Sequence, residues 1–382
     1  MRGSLRLFTW FGIPVHLHWS FGLIFLYAFW IGYENNLDLM GTMWLMGFFI
    51  ALFGCVLLHE YGHALTARRY GVNTHDIILT PIGGIARLER MPEKPIQEFV
   101  VAIAGPLVNV AIAILLFAIS MLVFSEERWE FFRWFLEQQF SFSDVDETGQ
   151  VLEETGIQPS GLLFYLPVLV ATNIGLVLFN LIPAFPMDGG RIFRSLLAIR
   201  LGRVRATQWA AWLGQIIAAV FIVYGLWSSA FTLALVGFFV FTTARSENSM
   251  VQLDDFLRRY KAKDLVRPQF TRFYMTDWMQ SPVAALEQGL ERNFLVFDLS
   301  DNLTGMLDET SILAAMKKNA LSQEVAQFTQ RVEVVHRDES LQQIFYLIRQ
   351  QGNPILAVRD ETELIGVIDE AGLYNFMRRQ KG

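Results

Sequence analysis

The chain is 382 residues long, 53% of them hydrophobic, with 33 Phe and a mean hydropathy of +0.34, too apolar for an ordinary soluble protein of this length. A formal charge of −6 with no basic stripe excludes a nucleic-acid partner. One cysteine, Cys55, excludes both an intrachain disulfide and a cysteine-based zinc site. The expected class is a polytopic α-helical membrane protein of about six transmembrane helices, with the lipid bilayer as a permanent partner.

The N-terminal segment lacks a small-residue cleavage site after a short apolar core, so it reads as retained rather than as a removed signal peptide. Trp19 to Tyr33 is the first span, and Arg2 and Arg6 before it argue for a cytoplasmic N-terminus. His16 and His18 at its mouth read as interfacial polar groups, with a second metal contact as the less favoured alternative.

The second span enters near Leu39 and leaves at Arg68 and Arg69. Near its end stands His59-Glu60-x-x-His63, whose members fall at about 0°, 100° and 40° around a helix, within one arc. Two imidazoles one turn apart can share a metal ion, and zinc held so lowers the pKa of a bound water to roughly 7, with Glu60 placed to take the proton. The alternative is a structural polar cluster. Residues 43 to 58 carry no charge, and burying the motif in hydrocarbon costs several kcal/mol unless a metal compensates, which favours the metal. His59 lies about 24 Å of rise into this apolar run and about 13 Å short of Arg68, inside the membrane toward the arginine side.

Residues 72 to 88 carry β-branched runs broken by Pro81 and Gly83-Gly84, and they predict two or three short strands of a small membrane-associated sheet. His75 there reads as a surface residue. The third span is Glu98 to Phe124, where Asn109 is expected to hydrogen-bond a neighbouring helix. Residues 125 to 156 hold nine acidic side chains and read as a non-cytoplasmic loop. The fourth span, Gly161 to Ile182, runs into Pro183, Pro186 and the Asp188-Gly189-Gly190 turn, where regular helix is impossible. Five arginines between 191 and 205 mark the cytoplasmic side, the side on which span two also ends. Asp188 can therefore reach the metal of His59 and His63 and complete a catalytic set with one water. A turn or capping aspartate is the alternative. Ala206 to Trp227 and Phe231 to Thr243 are spans five and six.

These segments carry a resemblance. HEYGHALTARRYGV, LTPIGGIARLE and FNLIPAFPMDGGR look like the signature segments of the site-2 protease family, over roughly residues 10 to 245. The resemblance implies an intramembrane zinc endopeptidase with one Zn2+ per chain on His59, His63 and Asp188, Glu60 as general base, and a transmembrane protein or peptide as substrate. It also implies a substrate cleft shaped by Asn180, Pro183 and Pro186, and a strand at Gly83 and Gly84 that holds the substrate as an added strand. Met187 stands where many relatives have Leu. Physics makes the same demand: a peptide bond inside a helix is shielded by its own hydrogen bonds, so the substrate must unwind and find replacement partners on a sheet edge.

Residues 1–245 thus form the membrane-embedded metalloprotease domain and 246–263 a polar connector. In the soluble region, 264–382, LTGMLDETSIL at 303 to 313 repeats as LIGVIDEAGLY at 364 to 374. The second copy, 331–380, resembles a CBS (cystathionine-β-synthase-type) domain, and 264–318 is a degenerate copy whose leading half departs from the pattern. Such pairs often bind adenine nucleotides, but here Asp308 and Asp369 stand at the Thr position of that stretch, and Ser311 and Gly372 at its Asp position. A surface without ligand, for homodimerisation or substrate gating, is the favoured reading over adenine nucleotide binding. Six spans return the C-terminus and the pair to the cytoplasm, in what reads as a prokaryotic cell membrane. A CBS-regulated channel or transporter, or an inactive membrane adaptor, are the alternatives, and neither explains Glu60 beside His59.

Overall fold

The computed structural model describes residues 3–381 except 82, 90, 124–128, 130, 131, 134–160 and 290. The acidic segment 125 to 156 lies almost wholly outside the described residues. The chain forms two compact units, Met1–Ser249 and Met250–Gly382.

In the first unit, strands β1 (Ser4–Trp10) and β2 (Ile13–His18) form an antiparallel hairpin turned at Phe11 and Gly12, both with positive φ of 49° and 76°, as a two-residue hairpin turn requires. Strands β3 (Thr74–Thr80) and β4 (Gly83–Leu88) complete a four-stranded sheet of order β1-β2-β3-β4, in which β2 and β3 run parallel. The sequence predicts strands only at 72 to 88. The hairpin escapes it because β1 exposes nearly every side chain and shows no alternation. Ile13, Val15, Ile77 and Leu79 bury the sheet against Phe21, Phe53 and Tyr61.

Helix α1 (Gly22–Glu34) follows a single 3-10 turn at Trp19–Phe21. Helix α2 (Leu39–Arg69) starts where the Asp38 carboxylate caps the Gly41 amide at 2.7 Å. It ends with Arg68 and Arg69 in its last turn, where cations suit the helix dipole. Helix α3 (Pro95–Val123) opens on Pro95, and α4 (Leu162–Asn180) is followed by irregular chain over 181–187. Helices α5 (Asp188–Leu201), α6 (Arg203–Trp227) and α7 (Phe231–Arg259) follow. Among the described residues, α2, α3 and α6 are long and apolar enough to cross a membrane, and α4 holds a shorter apolar run, Phe164–Asn180. Helix α7 unites the expected sixth span and most of the connector in one continuous helix.

The second unit is a doubled β-α-β-β-α. Strand β5 (Arg272–Tyr274), helix α8 (Gln280–Glu287), β6 (Phe294–Phe297), β7 (Leu303–Leu307) and α9 (Glu309–Lys317) are followed by β8 (Glu333–His336), α10 (Leu341–Arg349), β9 (Ile355–Asp360), β10 (Glu363–Asp369) and α11 (Glu370–Lys381). Each copy has a three-stranded sheet with one parallel and one antiparallel pairing. The leading half of the first copy, which departs from the sequence pattern, has the same strand and helix as the second because Phe273, Met279 and Val283 still supply its core. Leu295, Phe297 and Met306 of one copy pack with Ile355, Ala357 and Val367 of the other.

Candidate metal centre

Helix α2 presents His59 and His63 one turn apart, and α5 presents Asp188 as its first residue. The two Nε2 atoms lie 3.1 Å apart, and Asp188 Oδ2 lies 3.2 Å from His59 Nε2 and 3.1 Å from His63 Nε2. All three side chains are buried, and among the described residues they are the group of His, Cys, Asp and Glu that could hold a metal ion. Glu60, on the same helix, is half-buried, and its Oε2 accepts a 3.2 Å hydrogen bond from the Ala86 amide of β4.

Each imidazole is oriented by its other nitrogen. His59 Nδ1 donates to Asn109 Oδ1 at 2.6 Å, Asn109 Nδ2 donates to Asn173 Oδ1 at 2.9 Å, and Asn173 Nδ2 donates to the Leu169 carbonyl at 2.8 Å. His63 Nδ1 donates to the Val101 carbonyl at 2.8 Å. With both Nδ1 atoms donating, both Nε2 atoms are left unprotonated, their lone pairs available to a metal beside Asp188.

The donor set fits a zinc ion. Two ligands held at about 2.0–2.1 Å by a tetrahedral ion lie roughly 3.3 Å apart, close to the separations found here. Gly105 of α3 supplies the space: a Cβ there would stand 2.2 Å from His63 Nε2 and 2.7 Å from His59 Nε2. Gly62 of α2 is the matching close approach, because a Cβ there would meet the Ala104 carbonyl of α3 at 2.8 Å.

Asp188 stands where the chain folds back on itself. The Ala184 amide bonds the Ile182 carbonyl at 2.7 Å and the Met187 amide bonds the Ala184 carbonyl at 3.0 Å, closing tight turns between α4 and α5. A side chain at Gly189 would strike the backbone of Leu181 and Ile182 at 2.3 Å, and one at Gly190 the Ala184 backbone at 2.7 Å. The two glycines thus let the turn lie against the start of α5, with the Asp188 carboxylate in its first turn, where the helix dipole favours negative charge.

Of the residues expected to shape a cleft, Asn180 ends α4 half-buried, Pro183 is half-buried and Pro186 is exposed, all on the segment leading to Asp188. Gly83 and Gly84 begin β4, one of the two edge strands of the sheet. A Cβ on Gly84 would meet Glu60 Cγ at 2.6 Å, so the glycine is what lets β4 lie against the glutamate. His16 is not brought to the site; its Nδ1 lies 3.2 Å from Asp76 Oδ2, and Asp76 also binds the Arg87 guanidinium. His18 bonds Ser20 Oγ at 2.6 Å. Sequence reasoning expects a helix contact from Asn109 but not its partner His59, and it gives no part to Asn173 or Arg194. For Asn109 and Asn173 the signal available is cost, since each is a polar side chain in an apolar run and such groups stay only when partnered, whereas Arg194 lies among other arginines and gives no such signal.

An apolar helical body with a buried two-histidine, one-carboxylate set defines a membrane protein built to hold a divalent metal. The Peptidase family M50 model matches residues 47–224. A zinc metalloprotease of Methanocaldococcus jannaschii is 35% identical over 268 residues, covering 70% of this chain and 67% of that protein. A Synechocystis sp. protein is 26% identical over 407 residues, covering 98% of this chain and 95% of its own. The solved site-2 protease from M. jannaschii is similar at 34% identity with a TM-score of 0.42, over 64% of this chain and 95% of that one. The chain belongs to peptidase family M50, the site-2 protease family.

Proposed function

We propose that this chain is an intramembrane zinc endopeptidase that cuts transmembrane segments of membrane-protein substrates. The observation that carries the reading is the meeting of His63 and Asp188, 125 residues apart, with His59 beside Glu60 inside an apolar helical body. His59, His63 and Asp188 would hold the ion, which when bound supplies a water of lowered pKa and polarises a carbonyl oxygen. Glu60 takes the proton of the attacking water on its carboxylate and returns it to the nitrogen of the departing amine. The Ala86 amide holds that carboxylate toward β4 until a substrate is present.

The outer edge of β4 from Gly83 onward and the segment from Asn180 through Pro183 to Pro186 flank the scissile bond. Strand addition onto β4 restores to an unwound substrate the hydrogen bonds it loses on leaving its helix. Both termini and the second unit are cytoplasmic, in keeping with the exposed Arg68, Arg69, Arg200 and Arg205.

The second unit acts as a CBS-type pair for gating or homodimerisation without a nucleotide. Asp308 Oδ1 caps the α9 amide of Ser311 at 3.0 Å, and Asp369 Oδ1 caps the α11 amide of Gly372 at 2.6 Å. Burial pushes the Asp308 carboxyl up, but the donors of Ser311 and Thr310 outweigh it and hold the group below the usual carboxylate range. The N-termini of α9 and α11, the helices that follow the repeated strand pair, are thus each already capped by a carboxylate of the chain.

The test is Glu60→Gln in the purified full-length chain with a transmembrane peptide substrate. Cleavage falls by about 10²–10⁴ while bound metal is retained. Undiminished cleavage by that variant defeats the reading.

A further inference from the structure

The arginines after Asp188 read in the sequence as marks of the cytoplasmic side, but Arg194 is 1% exposed. It lies on α5, six residues after Asp188, and its guanidinium is committed on three sides. Nε donates to Glu98 Oε1 of α3 at 2.8 Å and a second nitrogen reaches the same oxygen. Nη1 donates to Glu247 Oε1 of α7 at 2.5 Å. The cation also sits 5.0 Å from the ring centroid of Phe185, two residues before Met187 and three before the aspartate. Glu98 is as deeply buried as the arginine, whereas the Glu247 side chain keeps 33% of its surface exposed.

Helix α3 is the frame on which this depends. Glu98, Val101, Gly105 and Asn109 fall within about 80° of one another around its axis. From that one face the Asn109 amide orients His59, the Val101 carbonyl orients His63, Gly105 leaves the space between them, and Glu98 grips the helix that carries Asp188. An apolar contact could hold α5 near α3 but could not fix its slide or rotation. A charge-assisted, forked bond to a planar guanidinium does, because it is directional at both ends. Helix α7 runs from Phe231 through Glu247 and on past the boundary at Ser249 to Arg259. Glu247 is thus on the one element of this cluster that continues into the second unit.

We propose that the buried Arg194–Glu98 pair is a strut that sets where Asp188 stands relative to His59 and His63, and that Glu247 on α7 is where the strut can be loosened. Arg194 is a positioning residue: it touches neither metal nor substrate, and acts through α5. The inference rests on the metal-site reading above.

The experiment measures zinc affinity of the full-length chain by competition with a chromogenic chelator, together with kcat and KM on a transmembrane peptide. Removing one partner would strand a buried charge, so the principal variant is the double change Arg194→Met with Glu98→Leu, which removes both charges and keeps the volume. It is expected to retain the wild-type unfolding temperature within a few degrees, to bind zinc about 10–100-fold more weakly, and to lose kcat with little change in KM. Glu247→Ala, at the partly exposed end, is expected to weaken zinc binding about 3–10-fold, with Arg194→Lys falling between it and the double variant. Wild-type zinc affinity and kcat in either the folded double variant or Glu247→Ala overturn the proposal, and if the double variant does not fold the Glu247 result decides alone. A wild-type chain with no zinc that depends on His59 sinks the underlying metal reading instead, an outcome readable before any Arg194 variant is made.

Discussion

The two units bury their side chains under different rules. Among the described residues, every buried polar or charged side chain lies in the first unit, and seven of the twelve, His59, His63, Asp188, Glu98, Arg194, Asn109 and Asn173, belong to the candidate metal centre and its supports. The second unit closes its cores with Val, Ile, Leu, Phe, Met and Ala. A buried polar group costs roughly 1–3 kcal/mol if it loses its partner, so a chain keeps such groups where they are needed. The contrast separates a unit whose described core holds titratable groups from one whose described cores are apolar. It also explains why substitution should act differently on each: in the first unit single atoms matter, in the second volume and pattern.

The largest break in that comparison comes from Gly105→Ala. No ligand is altered, yet a Cβ would stand 2.2 Å from His63 Nε2, so zinc and cleavage are both lost while the apolar fold survives. Metal analysis alongside a peptide assay reads this out, and an alanine variant with full zinc would show that the space at Gly105 is not the seat of the ion. Gly84→Ala comes next. Its Cβ would push Glu60 by its Cγ, and a misplacement on the order of 1 Å costs about 100-fold in turnover with zinc content unchanged.

Asn109→Ala sharpens the account of the supports. It frees His59 Nδ1 and leaves Asn173 without its donor, for a loss of about 10–100-fold in zinc affinity measured by chelator competition. On the other side of the comparison, titration calorimetry of the full chain with ATP, ADP and AMP is expected to give no saturable heat. Saturable binding abolished by Asp308→Ala would show that the second unit has its own chemistry.

The smallest effect is one of pH, in the sheet. The Arg87 guanidinium holds the Asp76 carboxyl below the usual carboxylate range against the opposing effect of burial. A carboxylate lowered in the folded state stabilises fully above its unfolded value, about 3.9, and that stabilisation is lost as pH falls through the folded value. Arg87→Leu removes the main effect that lowers Asp76, leaving His16 and His75 against burial, so β3–β4 protection in hydrogen exchange should be lower at neutral pH and should fall less on acidification than in the wild type. Identical acid profiles would remove Asp76 from the stability of the sheet.

That His59, His63 and Asp188 belong together was legible in the chain because these residues are chemically distinct and regularly spaced. His59 and His63 share a helix face, and Asp188 follows prolines that forbid helix and precedes glycines that permit a fold-back. The supports were not legible, because spacing says nothing of partners on other helices: Asn109 reads only as a helix contact, Asn173 as nothing, and Arg194 as a topological charge when it is the largest fully buried side chain among the described residues. The hairpin at β1–β2 was missed for a related reason, since an exposed strand beside a membrane need not alternate. In the second unit the repeat revealed both copies, while the first strand and helix of the weaker copy were hidden by divergence that keeps volume and hydrophobicity but not identity.

His59, His63 and Asp188, from two helices far apart in the chain, are proposed to hold one catalytic ion. X-ray absorption with metal analysis on the purified full-length chain tests it most directly. One zinc per chain is expected in a nitrogen- and oxygen-ligated site, lost in His59→Ala and in Asp188→Ala. Zinc retained undiminished in the Asp188 variant, or absent from the wild-type chain after purification without chelators, would contradict it.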